Sequence, residues 1–348
     1  MKADRSNPTH TAVPSTAEAP GWLGPPAEYF PLESGRYEIR PGLARLGTDF
    51  GNGAPDARVF QLDRRFFAYR TAKLAARAEE LAKYHPPGTL TDPAERTLHR
   101  MLVERLRHEY PQGFVLQQET GGARELECRL SGEALRFDSD WAYLGAAGAQ
   151  PAPAYRSGLD ALACQVQEDL AIVQLQADGS DTIAALHLCF PNHWAAEAKI
   201  GRSFIAAHRP VAGIEPIARN AHKLVRTMID KGPFVRFAWG LATDDRLNHH
   251  PDPPPGADPA EWAGRHFDPD RPRLFLRVER QTTYGLPAVG GALFTIRTYF
   301  SDCERIRRDP GRNRALHSAI ASMSPESLAY KGLTESRAAI LNWLRSPR

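Results

Sequence analysis

Apolar residues return along this chain with two different periods. A helical spacing sets in near Asp63, where Phe67, Leu74, Ala75 and Leu81 recur at intervals of three, four and seven across LDRRFFAYRTAKLAARAEELAKY. A second helix is expected after Thr91-Asp92-Pro93, with Asp92 as N-cap, Pro93 at the first helical position, and Leu98, Leu102 and Leu106 one turn apart. Both read as packing elements. Beyond Pro111 the pattern shortens to extended pieces around a Gly121-Gly122 turn, and then to the Ala/Gly/Pro stretch GAAGAQPAPA at 145–154. Two apolar runs follow, DLAIVQLQ (169–176) and TIAALHLCF (182–190), and the Asp178-Gly179 between them is a hairpin signal. FVRFAWGL (234–241) alternates as a half-buried strand. LFLRVERQTTY (274–284) and GALFTIRTYF (291–300) are two more, joined through Gly285, Pro287 and Gly290-Gly291.

Between the second and third of these strands, WAAEAK suits a short helix, and Ile214 to Asp230 a longer one ended by Lys231-Gly232-Pro233. Ser324-Pro325-Glu326 starts a helix near the C-terminus, and Ala339, Ile340, Trp343 and Leu344 mark the apolar face of the last. Two strands, several short helices and then three strands is the element order of a PAS-type domain. The expected fold is therefore α+β: a PAS-like antiparallel five-stranded sheet with helices inserted after its second strand, plus N- and C-terminal helical extensions. The expected organisation is a disordered tail (1–28), a helical and loop extension (29–150), a PAS-like core (160–302) and a C-terminal helical extension (303–348). Within the first extension, the Gly/Pro-punctuated segment from Tyr29 to Gly53 reads as loops with one short strand at best.

Composition narrows the class. With 348 residues, 42% hydrophobic and 24% charged, the chain can bury a sizeable core. A net charge of +3 without a Lys/Arg block argues against a nucleic-acid binder. The 29 prolines imply ordered loops and rigid corners. Four scattered cysteines fit reduced thiols and a cytoplasmic setting, and neither a signal-peptide core nor an apolar run near 18 residues is present. Walker loops, GxSxG elbows, dinucleotide-binding glycine spacing and clustered cysteine ligands are all missing, and His249-His250 lacks zinc-ligand spacing.

The polar groups concentrate in Cys189–Gly213, CFPNHWAAEAKIGRSFIAAHRPVAG, which reads as one wall of a cofactor pocket, with Arg277 to Tyr299 as another. His208, at the end of an apolar element, could ligate a metal or haem iron, or be a buried structural histidine. His193 reads as a helix cap, and His222 competes with His208 as a ligand. Arg236, Arg280 and Arg297 fall inside apolar strand patterns, where an unpaired charge would cost several kcal/mol. They need anionic partners, either acid groups of a cofactor or residues such as Glu279 and Asp169. The Pro/Asp/His-rich segment 248–269 is long enough to be functional or mobile.

At VQED (166–169), FPNHWAAEAKIG (190–201), IAAHRPV (205–211), RVERQTTYGLP (277–287), FTIRTY (294–299) and YKG (330–332), the chain resembles the haem-dependent oxidative N-demethylases, in particular the haem-binding alpha subunit of dimethylamine monooxygenase. The resemblance runs over residues 30 to 335. Against the family pattern, Ala207 stands before the histidine, Ala212 replaces a proline, and Tyr284-Gly285 replaces a basic pair. The resemblance implies haem b as cofactor, His208 as iron ligand with His222 as alternative, and Lys199, Arg202 and Arg280 as propionate partners. It further implies Glu279, Tyr284 and Tyr299 on the substrate side. The implied reaction removes an N-methyl group from a small alkylamine using O2 and electrons from a flavin/iron–sulfur reductase subunit, releasing formaldehyde to a folate-binding subunit. A haem-PAS gas sensor and a haem-free scaffold subunit are the competing readings.

Overall fold

The five apolar runs become the long strands of one antiparallel sheet. The computed structural model describes residues 19–119, 121–148 and 151–346. In chain order the first elements are β1 (Ala44–Arg45), α1 (Phe66–Tyr84), α2 (Asp92–Glu109), β2 (Phe114–Gln118), β3 (Arg124–Cys128), β4 (Glu133–Phe137), β5 (Tyr143–Gly148) and α3 (Gly158–Ala163). The core continues with β6 (Asp169–Leu175), β7 (Asp181–His187), α4 (Phe204–His208), α5 (Glu215–Ala218), α6 (Ala221–Lys231) and β8 (Phe234–Ala242). It closes with α7 (Pro259–Ala263), β9 (Phe275–Leu286) and β10 (Gly291–Asp302), followed by α8 (Cys303–Arg307), α9 (Pro310–Ala321), α10 (Pro325–Lys331) and α11 (Arg337–Arg345).

The main sheet runs β1-β8-β9-β10-β6-β7, all antiparallel, so the two-residue β1 adds a sixth strand to the five expected. Residues 114–148, expected only as extended pieces of an extension, form a separate four-stranded meander β2-β3-β4-β5. The Leu98, Leu102 and Leu106 stripe of α2 packs with Phe114, Leu126, Leu135 and Phe137 of that meander. No helix among the described residues is long and apolar enough to cross a membrane.

Alternation along β9 assigns its residues to two faces. Arg277, Glu279 and Gln281 share one face with their β8 partners Gly240, Ala238 and Arg236. This face is covered by α4 to α6, whose Phe204, Ala207, Ile217, Val225, Met228 and Ile229 are buried with Ile296 and Ala292 of β10. Val278 and Arg280 point to the other face, against the segment before α1 and the C-terminal helices.

Four local expectations need correction. WAAEAK makes only a turn, because Gly201 N–H donates to Ile183 O and Ile183 N–H to Arg202 O (2.9 and 2.8 Å), drawing the chain onto β7 before a helix can grow. Ile214–Asp230 is broken between α5 and α6 at Asn220, whose backbone leaves the helical region (φ −119°, ψ 14°) while its side chain donates back to Pro216 O (3.3 Å). The N-cap of α2 is Thr91, not Asp92. Of the expected disordered tail, residues 1–18 lie outside the described residues, but from residue 19 onward the chain is placed and Leu23 is fully buried.

Candidate functional site

Between α4 and the β8/β9 face lies a cavity of about 380 Å3, within the range of small-molecule and cofactor sites. Its wall is the 192–210 stretch, with Asn192, His193, Trp194, Lys199, Arg202 and Pro210; Gly240 forms the floor, and Arg265 and Lys331 close it from the C-terminal side.

Buried polar groups fix the start of that wall. Asp169, the last residue of VQED, accepts from Cys189 N–H and Phe190 N–H, both at 2.8 Å. Arg277 donates to Phe190 O at 2.7 Å and is 2.9 Å from His249 Nδ1, whose Nε2 lies 2.9 Å from Asp244. Asn192 bridges to His249, and His193 N–H donates to His249 O at 2.9 Å. This double attachment holds His193 at φ 60°, a conformation that non-glycine residues seldom adopt. The 248–269 segment thus packs against the wall and contributes Pro251 and Arg265 to the lining.

Two imidazoles are kept neutral here. Burial pushes His208 down to about 4, and the charges of Lys199 and Arg236 act in the same direction. Its Nδ1 sits 2.7 Å from Phe204 O, so the tautomer protonated there leaves the Nε2 lone pair free. Burial lowers His193 to about 2, helped by Arg265, His249 and Arg277.

Around them are cations with few counter-charges. Burial lowers the pKa of Lys199 and of Arg265, and brings Lys331 to about 8. Arg236 is likewise depressed by burial, and the Nε atoms of Arg236 and Arg265 have no hydrogen-bond partner. No carboxylate belongs to the lining. Glu279 stands beside it, accepting from Gln281 at 3.0 Å and from the lining Asn192 at 3.4 Å. Orphaned guanidinium nitrogens and desolvated ammonium groups are costly unless an anion enters. An acidic cofactor with a ligand position for a neutral imidazole fits this donor set.

Of the residues singled out in the sequence, Lys199 and Arg202 line this cavity. His208 lies just outside the lining, within reach of the charges of Lys199 and Arg236, and Glu279 stands behind the lining Asn192. Arg280 is not at the cavity: it is fully buried on the opposite sheet face, where Nε donates to Asp56 at 2.8 Å. Arg297 is likewise paired to Asp63 at 2.6 Å. Tyr299 donates to Gln61 on that same face, and Tyr284 packs with the α2 cluster near Arg105. His222 is exposed on the outer side of α6. In the other direction, Arg265 and Lys331 were not expected at the site, and His193, inside the stretch read as its wall, was expected there only as a helix cap. For Lys331 a signal existed, since it is the middle residue of YKG.

Away from the cavity, Asp160, Cys164 and His187 lie close enough to hold a metal. Both Asp160 oxygens are already taken, by Arg77 at 2.7 and 2.9 Å and by His187 at 3.1 Å, so the cluster reads as an internal ion network.

A family model described as haem-dependent oxidative N-demethylase, alpha subunit-like, matches residues 52–341.

Proposed function

The chain belongs to the haem-dependent oxidative N-demethylase, alpha subunit-like family, and we propose that it removes an N-methyl group from a small alkylamine of the dimethylamine type. In balanced form, the amine, one O2, two electrons and two protons give the demethylated amine, formaldehyde and water. The electrons come from a partner reductase carrying flavin and iron–sulfur centres, and a folate-binding subunit is a candidate acceptor of the formaldehyde. Haem b, bound in the cavity, supplies O2 activation. The strand order third-fourth-fifth-first-second of β8-β9-β10-β6-β7 is the reason we take the core as PAS-like.

The observation that carries this reading is the cavity itself, with the neutral imidazole of His193 in its lining and that of His208 next to Lys199. The cations around them have Glu279 as their main counter-charge, and the Nε atoms of Arg236 and Arg265 have no hydrogen-bond partner. His208 is the proposed iron ligand through Nε2, with Phe204 O holding its ring. His193 takes the place of His222 as the competitor, because it lines the cavity whereas His222 faces solvent. Lys199, Arg202, Arg265 and Lys331 are the proposed propionate partners, with Arg236 behind them. Glu279 offers a carboxylate to an alkylammonium substrate, and Asn192 and Gln281 orient it.

The test is an absorption titration of the purified chain with haem. A Soret band that His208→Ala shifts or abolishes, and His222→Ala does not, is expected. No band in the wild-type chain under any condition would remove the reading.

A further inference from the structure

Charge is unevenly distributed on this molecule. Residues 199–231 contain Lys199, Arg202, Arg209, Arg219, Lys223, Arg226 and Lys231 against Glu215 and Asp230, a net of 7 − 2 = +5. The whole chain carries +3, so the remainder carries 3 − 5 = −2. Six of the seven, all but Lys199, are exposed, and five of these, Arg209, Arg219, Lys223, Arg226 and Lys231, lie outside the cavity lining. Elsewhere exposed arginines find carboxylates, as Arg136 does at Glu119, Arg305 at Glu28 and Arg129 at Glu127 (2.7, 2.8 and 3.3 Å). Among the described residues, no carboxylate lies within ion-pair distance of these six.

The first part of the same segment lines the cavity through Lys199, Arg202, Ala206, Ala207 and Pro210, with Arg202 also open to solvent. α6 packs beside α4, its Ala221, Val225, Met228 and Ile229 buried against the sheet. A partner seated on the outer surface of α5 and α6 therefore adjoins the elements that wall the cavity without touching its lining. We propose that the outer face of residues 202–231 docks an acidic electron-transfer protein, the reductase that the function above requires; the inference rests on that reading. Each encounter oxidises a reduced iron–sulfur centre by one electron, and two encounters deliver the two electrons consumed per methyl group removed. Unpaired surface cations steer such a partner over long range, which acts on association rate more than on residence. An anionic membrane or single-stranded nucleic acid fits less well. The apolar face of α6 is already buried, and the large hydrophobics exposed among the described residues are Leu144 and Tyr330, neither of them in this segment.

The test uses the full chain and an acidic plant-type [2Fe–2S] ferredoxin as probe, with association followed by interferometry. Arg219→Glu/Lys223→Glu/Arg226→Glu should slow association at low ionic strength at least ~10-fold. The difference should vanish near ~1 M salt, where the Debye length is about 3 Å. The milder triple change to Gln should fall between, with circular dichroism and haem uptake as in the wild type. Reduction of the haem-loaded chain by ferredoxin should slow in parallel while reduction by dithionite does not. The proposal is overturned if the charge-reversed chain associates as fast as the wild type, or if wild-type binding ignores salt. It is also overturned if phosphatidylserine vesicles or a DNA strand bind more tightly than ferredoxin does. A failure of haem uptake is seen separately in the Soret region and refutes the function without touching the binding arm.

Discussion

Replacing Asp56 by Ala tests the assignment of the two sheet faces. Asp56 is 3% exposed and Arg280 is fully buried. Arg280 donates from Nε to Asp56 Oδ2 at 2.8 Å and from a terminal nitrogen to Oδ1, and Tyr29 donates to Oδ2 at 2.8 Å. Burial alone would lower the Arg280 pKa; the hydrogen bonds and charge of Asp56 more than reverse this. Without Asp56 the guanidinium retains only the carbonyls of Arg58 and Val59. Breaking a buried pair from one side costs about 3–5 kcal/mol, whereas exchanging both partners for apolar residues is near neutral or stabilising. With an m-value of about 3 kcal/mol/M in urea, Asp56→Ala should lower the midpoint by about 1–1.7 M. Asp56→Leu/Arg280→Met should recover most of that loss. Haem uptake by the double variant should equal that of the wild type, because neither side chain reaches the cavity. A loss below about 1 kcal/mol for Asp56→Ala would show that the pair does not anchor the segment before α1. A stable double variant that no longer takes up haem would put Arg280 at the cofactor and refute the face assignment.

Gly285→Ala should be among the most damaging single changes, since its Cβ would lie 2.0 Å from Ile229 O and force α6 off β9. Thermal unfolding should show a loss of at least about 1–3 kcal/mol; Gly179→Ala, at φ +83° in open space, should cost about 1 kcal/mol. Stability should also fall with pH. His208 and His85 are both lowered by burial from 6.5 to about 4, so the unfolded chain binds more protons in that window. Their contribution is complete above about 6.5 and is lost as pH falls through about 4, on the order of 3 kcal/mol each. Urea midpoints measured across this range for His85→Gln and His208→Gln should show a flatter slope than the wild type. Lys331→Met should act in opposite directions on two readouts: the haem-free chain gains stability by losing a desolvated ammonium, while haem affinity drops on the order of tenfold, about 1.4 kcal/mol.

The sequence made the main sheet legible because its strands are long, apolar and bounded by Gly, Pro and Asp-Gly. The cavity wall was legible as a density of polar groups in Cys189–Gly213. Partners far apart in sequence were not. Arg280 and Arg297 announced that they needed anions, but Asp56 and Asp63 lie more than 200 residues away, the first in a loop that carries no period and the second just ahead of α1, where nothing local marks it as a partner. The stripe of α1 was read from Phe67, Leu74 and Leu81. The helix instead also buries Arg70, Lys73 and Arg77, each satisfied by groups 60 to 95 residues downstream such as Glu133, Ala163 O and Asp160. The turn at 196–202 failed as a helix for a similar reason, since a non-local pairing with Ile183 outcompetes local propensity. His193 was misread as a cap because its placement depends on a bridge to His249, 56 positions away.

The alternation of β9 separates two kinds of inheritance on one strand. Glu279 and Gln281 can be exchanged without disturbing Val278, Arg280 and Thr282, which tie the strand to the rest of the molecule, whereas Arg277 on their face cannot, because it holds the cavity wall at Phe190 O and His249. Substitution at those two positions is thus a permissive route to altered polarity beside the cavity. Insertion or deletion of a single residue is not, because a one-step slip would turn the ionic anchor toward the cavity side and Glu279 into the opposite core.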